Sequence, residues 1–247
     1  EVSIAHAQSK DHYQRGFHVK KGDHAKILFI GDSVLQQYID PISSALKVEK
    51  KNIDTVTRGG CVLLKGVDFD DVFADISCNE LREKLYNIKK NYDYVFISQN
   101  WESYKKTILN APLQGEQYFE PFLHKTILHF SKHTKNLIIL GVHPTVSFDS
   151  SLPADIKLTL ENYETFRNGV KISKEHNIHS KSFFNKTAKE LPVRVLHPID
   201  IFCSGKICAL KNDNWSYFYD ANHLTKFGQN KAKDFFRNEL NTGTEKK

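Results

Sequence analysis

The sequence predicts an α/β fold: a three-layer α/β/α sandwich on a five-stranded parallel, flavodoxin-like sheet. Short apolar runs of strand length alternate along the chain with stretches of helical periodicity, as βαβ units require. The strongest of these runs suit strands covered on both faces. At 247 residues, with 40% hydrophobic and 12% aromatic content, the chain can bury a sizeable core. That suffices for one large α/β domain or two small ones.

The elements follow in order. Residues 26–30 (Lys-Ile-Leu-Phe-Ile) read as a buried strand, and 34–46 as the helix after it. Residues 52–57 form a weaker strand ending in Arg58-Gly59-Gly60. Residues 79–90 are helical, 92–98 are strand, and 118–133 carry apolar residues at helical spacing. Residues 136–142 are the most apolar strand, which Pro144 ends. A helix over 161–176, a short strand over 193–196 and a final helix over 224–240 complete the pattern. Residues 1–25 hold four His and little apolar periodicity, so they read as an extension or linker before a domain of 26–240. Residues 241–247 read as a disordered tail.

Composition excludes several classes. Phe, Tyr, Leu and Ile are spread along the whole length, which rules out bulk disorder. The longest apolar run, Leu137 to Val142, is far short of the roughly 20 residues that span a bilayer. Twelve Gly and four Cys exclude collagen and disulfide-knot classes. The net charge is +6 and the pI near 8.9. The Lys pairs at 20/21, 50/51, 89/90 and 105/106 accompany no nucleic-acid-binding motif, so no nucleic-acid partner is expected. They read as solvated surface, with an anionic membrane or acidic glycan as the sharper alternative. The chain has no Met and opens on a polar stretch without a secretory signal. It therefore reads as part of a longer protein whose targeting segment lies upstream. Cys61 with Cys78, and Cys203 with Cys208, are the local disulfide pairings. Neither pair has the two-residue spacing of zinc ribbons, so disulfides in an oxidising, extracytoplasmic setting are expected.

In open parallel sheets ligands bind beyond the carboxyl ends of the strands. After the first strand comes Gly31-Asp32-Ser33, which puts a hydroxyl at a helix N-terminus, where N–H groups favour a developing oxyanion. The same residues also suit a plain N-cap. After the second strand, Gly59 and Gly60 permit close backbone approach. After the third, Ser98-Gln99-Asn100-Trp101 offers the Asn100 amide as a donor. Near the C-terminus, Asp220-Ala221-Asn222-His223-Leu224 can set a carboxylate on one ring nitrogen and leave the other facing a serine. Each piece also suits a turn or a cap; their conjunction at one sheet edge points to acyl chemistry.

That conjunction resembles the SGNH (GDSL-like) hydrolase superfamily, whose Ser, Gly, Asn and His lie in four blocks. Gly31-Asp32-Ser33 matches the first block and Gly60 the second, where Gly59 is an alternative. Ser98-Gln99-Asn100-Trp101 fits the third block, with Ser98 in place of the usual Gly and Trp101 in place of the usual Asp. Asp220-Ala221-Asn222-His223 fits the last. More narrowly, Phe202-Cys203, Cys208 and Tyr219-Asp220-x-x-His223-Leu224 resemble the periplasmic SGNH domain fused to acyltransferase family 3 membrane proteins. Bacterial O-antigen and other surface-polysaccharide O-acetyltransferases have that build.

The resemblance implies acetyl transfer to a sugar hydroxyl through an acyl-Ser33 intermediate. Its triad is Ser33, His223 and Asp220, and its oxyanion donors are Ser33, Gly60 and Asn100. It also implies a periplasmic domain tethered to the inner membrane, with an integral-membrane domain of the same parent chain as acyl donor. The acceptor is polysaccharide or its lipid-linked precursor, and no metal or cofactor is needed. Trp101, Tyr104 and His143 are the candidate sugar-facing groups. A carbohydrate esterase with the same triad and a non-catalytic glycan-binding module are the alternatives. A flavodoxin-like nucleotide binder is disfavoured, because only Gly31 follows the first strand where a phosphate loop needs several glycines.

Overall fold

The computed structural model describes residues 16–20, 25–67, 77–101, 116–144, 174–204, 207–209, 217–218 and 222–241. Among these lie β1 (Gly16–His18), β2 (Ile27–Gly31), α1 (Ser33–Ala45), β3 (Ile53–Thr57), α2 (Cys78–Tyr86), β4 (Tyr92–Ser98) and α3 (Glu116–Phe130). Then come β5 (Thr134–Leu140), α4 (Lys174–Glu190), β6 (Arg194–Leu196), a short β7 (Cys203–Ser204) paired with β8 (Ile207–Cys208), and α5 (Lys226–Asn241).

The fold is α/β, with a sheet of order β1-β3-β2-β4-β5-β6. All neighbours from β3 to β6 run parallel. Ordered along the chain, the five parallel strands lie 2-1-3-4-5, the flavodoxin-like arrangement. The sheet has six strands, not five. Gly16–His18 joins its edge antiparallel to β3, within the stretch read from the sequence as an extension or linker. Three residues with only Phe17 as a clear strand former give no period-2 signal. A second difference is α4. Its described turns continue to Glu190, beyond the expected helix of 161–176, whose first part falls outside the described residues.

The central strands are buried on both faces, and their alternating side chains feed two cores. Leu28, Ile30, Val95, Ile97, Leu137 and Ile139 pack with residues of α2 and α3. Ile27, Phe29, Phe96, Ile138 and Leu140 pack with α1 and α5. Phe29 stands opposite Phe96 in the β2–β4 register, and their rings stack with centroids 5.3 Å apart.

At the amino ends of the strands, Lys20, Lys50 and Lys90, one from each of three pairs that look scattered in sequence, come together. Asp54 is fully buried there. It accepts hydrogen bonds from Lys90 Nζ at 2.8 Å, from Tyr92 Oη at 3.0 Å and from the Lys20 N–H at 3.2 Å. Burial and the neighbouring Asp54 charge push the Tyr92 phenol well above its ordinary range.

Cys61 and Cys78 form the expected disulfide, which ties the loop after β3 to the first residue of α2. Cys203 is disulfide-bonded too, and its backbone pairs in register with Cys208, whose side chain is outside the described set. Closing the 17-residue separation removes loop entropy from the unfolded chain. Replacing both Cys61 and Cys78 by Ser should therefore cost roughly 3 kcal/mol in urea unfolding. A midpoint unchanged from the parent would contradict this.

Candidate active site

The carboxyl edge of the sheet gathers the candidate residues. β2 ends at Gly31, Asp32 caps α1, and Ser33 is the first helical residue. Asp32 is an N-cap, and it does more than cap. Its Oδ1 accepts from the Val34 N–H at 2.9 Å, and its Oδ2 accepts from the Asn100 N–H at 2.8 Å. One buried carboxylate thus fixes the loop after β4 against the start of α1. Gly31 is required for another reason. A Cβ there would lie 1.9 Å from the Ser98 carbonyl oxygen on the neighbouring strand.

His223 reaches the same point from the far end of the chain. Its Nε2 lies 3.0 Å from Ser33 Oγ, within hydrogen-bond reach, and both side chains are half-buried. The loop carrying His223 is held from two sides. Phe218 bridges to Leu224, and the Thr225 N–H donates to the Tyr217 carbonyl. On the other side Gln37 of α1 donates from Nε2 to the Asn222 carbonyl at 3.1 Å and accepts at Oε1 from the Leu224 N–H at 2.6 Å. Asp220 falls outside the described residues, as does Tyr104.

Gly60 has φ +81°, a left-handed conformation that other L residues adopt at a cost. At Gly59 a Cβ would meet nothing within 4 Å. Of the two glycines read from the sequence, only Gly60 therefore has a backbone that calls for glycine. Among the described residues, the N–H groups of Ser33 and Gly60 have no hydrogen-bond acceptor. For Ser33 this follows from its place in the first helical turn.

The two sugar-facing candidates that are described, Trp101 and His143, turn inward. Trp101 is 5% exposed; its indole N–H donates to the Leu140 carbonyl at 2.7 Å, and its ring meets Phe184 edge-on. An indole just past a buried strand finds a core on one side and a strand-end carbonyl for its N–H, so it anchors the loop. His143 stacks on buried Tyr38 and brings Nε2 to 2.8 Å from Ser98 Oγ. Ser98–His143 is a second serine–histidine contact, but Ser98 is 0% exposed and no substrate reaches it. Burial pushes the Tyr38 phenol well above its ordinary value.

Two histidines of this region are held neutral. Burial lowers His143 to about 3, with nearby His197 adding to the effect. Burial lowers His197 to about 4, helped by Lys181. His197 accepts at Nδ1 from the Val142 N–H, so its Nε2 carries the proton and donates to Asn185. Folded pKa values below the unfolded 6.5 give stability that is complete above pH 6.5 and drains away as the pH falls toward 4. His143 alone should remove about 1.4 kcal/mol per pH unit in that window, and His197, which is lowered less, adds to this over a narrower range. Thermal melts from pH 7 to 4.5 should show a steadily falling midpoint. A constant midpoint would mean that neither ring resists protonation in the fold.

Two contributors carry weak sequence signals. Gln37 is a polar residue on the apolar face formed by Val34, Leu35, Tyr38 and Ile42, and that intrusion is the trace it leaves. The second bond of Asp32 leaves none, because an N-cap already accounts for the residue. Among the described residues, Glu120, His124 and Glu190 bring possible metal-ligating atoms together, but Lys186 already pairs with both carboxylates.

The fold matches known structures over most of the chain. The periplasmic domain of a lipopolysaccharide acetyltransferase from Salmonella ser. Paratyphi A superposes with a TM-score of 0.63, at 16% identity over 90% of this chain and 85% of that one. A GDSL-like lipase from Bacteroides thetaiotaomicron gives 0.52, at 12% identity over 89% of both chains. A carbohydrate acetylesterase family member from Sinorhizobium meliloti gives 0.50, at 13% identity over 88% of this chain and 98% of that one. These identities speak for the fold. By sequence, no curated protein matches. The family model described as "SGNH domain (fused to AT3 domains)" matches residues 5–238. Nearly the whole chain thus falls within one model, and the chain belongs to the family of SGNH domains fused to AT3 domains.

Proposed function

We propose that the domain transfers an acetyl group to a sugar hydroxyl of a bacterial surface polysaccharide, O-antigen or its lipid-linked precursor, through an acyl-Ser33 intermediate. The observation that carries this is the 3.0 Å approach of His223 Nε2 to Ser33 Oγ at the carboxyl edge of the sheet. Ser33 Oγ attacks the acetyl carbonyl while His223 takes its proton. Asp220, three residues before His223 in sequence, holds the imidazole tautomer. The tetrahedral oxyanion is met by the N–H groups of Ser33 and Gly60 and by the Asn100 side-chain amide, each donor contributing about 3–4 kcal/mol. His223 returns its proton to the leaving group as the carbonyl reforms. A sugar hydroxyl then attacks acetyl-Ser33, its proton passing to His223 and on to Ser33 Oγ as the ester leaves.

Family membership supports an acyl-transferring or ester-cleaving enzyme, and fusion to AT3 domains supports a membrane-embedded acyl donor in the same parent chain. The likeness to a periplasmic domain and the disulfide both support a periplasmic site, with the domain tethered to the inner membrane. Among the described residues no helix is long and apolar enough to cross a membrane. The test is product analysis with an activated acetyl ester, with and without an oligosaccharide acceptor. An acetylated sugar lost in Ser33→Ala supports transfer. Acetate alone at every acceptor concentration removes the transferase reading and leaves the esterase, which uses the same residues with water as acceptor.

A further inference from the structure

We propose that Gln37 is a positioning residue for the acyl-transfer step, acting on Ser33 solely through the backbone around His223. The inference rests on the reading of Ser33 and His223 as the reacting pair. Gln37 lies four residues after Ser33 on α1, so the two side chains share one helix face. It is 8% exposed, and its amide is spent on two bonds that bracket His223: Nε2 to the Asn222 carbonyl and Oε1 from the Leu224 N–H. One side chain thus takes the donor and acceptor that an adjacent strand would supply, and the backbone on both sides of the base is fixed to the helix that carries the nucleophile.

The chemistry of the side chain suits the task. A carbonyl and an N–H two residues apart need a donor and an acceptor on one planar group, which an amide has. A carboxylate accepts but cannot donate, and an ammonium donates but cannot accept. An apolar replacement would remove both bonds and leave the buried Leu224 N–H without this acceptor. Ser33 moves with α1 and His223 with its loop, and the amide makes these one rigid unit. A displacement of about 1 Å between reacting groups costs roughly 100-fold in rate, so the expected loss is of that order and falls on kcat.

The experiment measures hydrolysis of 4-nitrophenyl acetate by the parent, Gln37→Leu, Gln37→Glu, His223→Ala and the Gln37→Leu/His223→Ala double variant. Gln37→Leu keeps volume and loses both bonds; Gln37→Glu keeps the bond from the Leu224 N–H and loses the other. The expected result is a fall in kcat of roughly 100-fold for Leu and a smaller fall for Glu, with KM unchanged. No further fall is expected when Gln37→Leu is added to His223→Ala, since the residue acts only through that ring. An equal fall in both backgrounds would reduce Gln37 to a general structural role and overturn the proposal. So would parent-like kcat in both Gln37 variants while His223→Ala is inactive. Activity retained in His223→Ala would instead overturn the Ser33–His223 reading. Should Gln37→Leu fail to fold, Gln37→Glu carries the same comparison.

Discussion

Ser33→Ala should lower acetyl-ester turnover by a factor on the order of 10⁴ or more while leaving the thermal midpoint where it was. The two halves of that expectation have separate causes. Turnover falls because, among the described residues, Ser33 Oγ is the partly accessible hydroxyl that faces a histidine, 3.0 Å from His223 Nε2. Stability holds because the start of α1 is capped by Asp32, through the Val34 N–H, and needs nothing from Ser33. An active-serine phosphonate should add once to the parent, by intact mass, and not to Ser33→Ala. The buried pair supplies a control: Ser98 Oγ meets His143 Nε2 at a distance as short as that between Ser33 and His223, so distance alone would not choose between them. Access does, and Ser98→Ala should leave phosphonate labelling intact. Labelling that survived in Ser33→Ala and vanished in Ser98→Ala would sink this assignment.

Gly31→Ala should be the most damaging single methyl group added to the domain. Its Cβ would sit 1.9 Å from the Ser98 carbonyl and 2.9 Å from the Leu35 side chain. The first of these is backbone of the neighbouring strand, so relief requires β2 and β4 to part at their carboxyl ends. Ser33 leaves the sheet from one of these ends and Asn100 from the other. The Asp32 bond to the Asn100 N–H spans the gap that would open. Overpacking of this kind costs about 1–3 kcal/mol, and the displaced Asn100 and Ser33 should lower turnover at least 100-fold by the geometric sensitivity of acyl transfer. Gly59→Ala is the matched comparison: the added methyl meets open space, so melts and rates should follow the parent. Equal behaviour of the two variants would mean that the strands accommodate a Cβ at Gly31 after all.

How much of this was legible in the sequence follows from the physics of each element. Three of the five parallel strands, β2, β4 and β5, announce themselves because burial on both faces leaves runs of Ile, Leu, Phe and Val that no other element explains, while the weaker β3 and β6 follow from the alternation around them. The antiparallel edge strand does not, since three residues carry no period. Most of α4 escaped because its described turns are rich in Lys, Asn and Ser, with Phe183 and Phe184 as the main apolar anchors. At the site, Gly31, Asp32, Ser33 and His223 could be read from type and order, because the carboxyl edge of a parallel sheet collects whatever follows each strand. Which way Trp101 and His143 point could not. An aromatic residue just past a strand serves core and ligand equally well on paper, and the choice depends on partners far away in sequence, Leu140 for one and Tyr38 for the other.

The antiparallel run of β1 has a consequence for delivery of the acyl group. Gly16 pairs with Thr57, which pairs with Gly31, and His18 pairs with Thr55, deeper toward the amino ends of the parallel strands. The backbone therefore arrives at residue 16 on the rim that carries Ser33. A membrane-embedded donor fused upstream, as proposed above, would join the described residues at that rim. Donor and nucleophile then meet at an effective concentration set by the linker, which is highest when its reach matches the span. Lengthening that linker step by step in the full chain should slow acetylation gradually, without any change in the isolated domain.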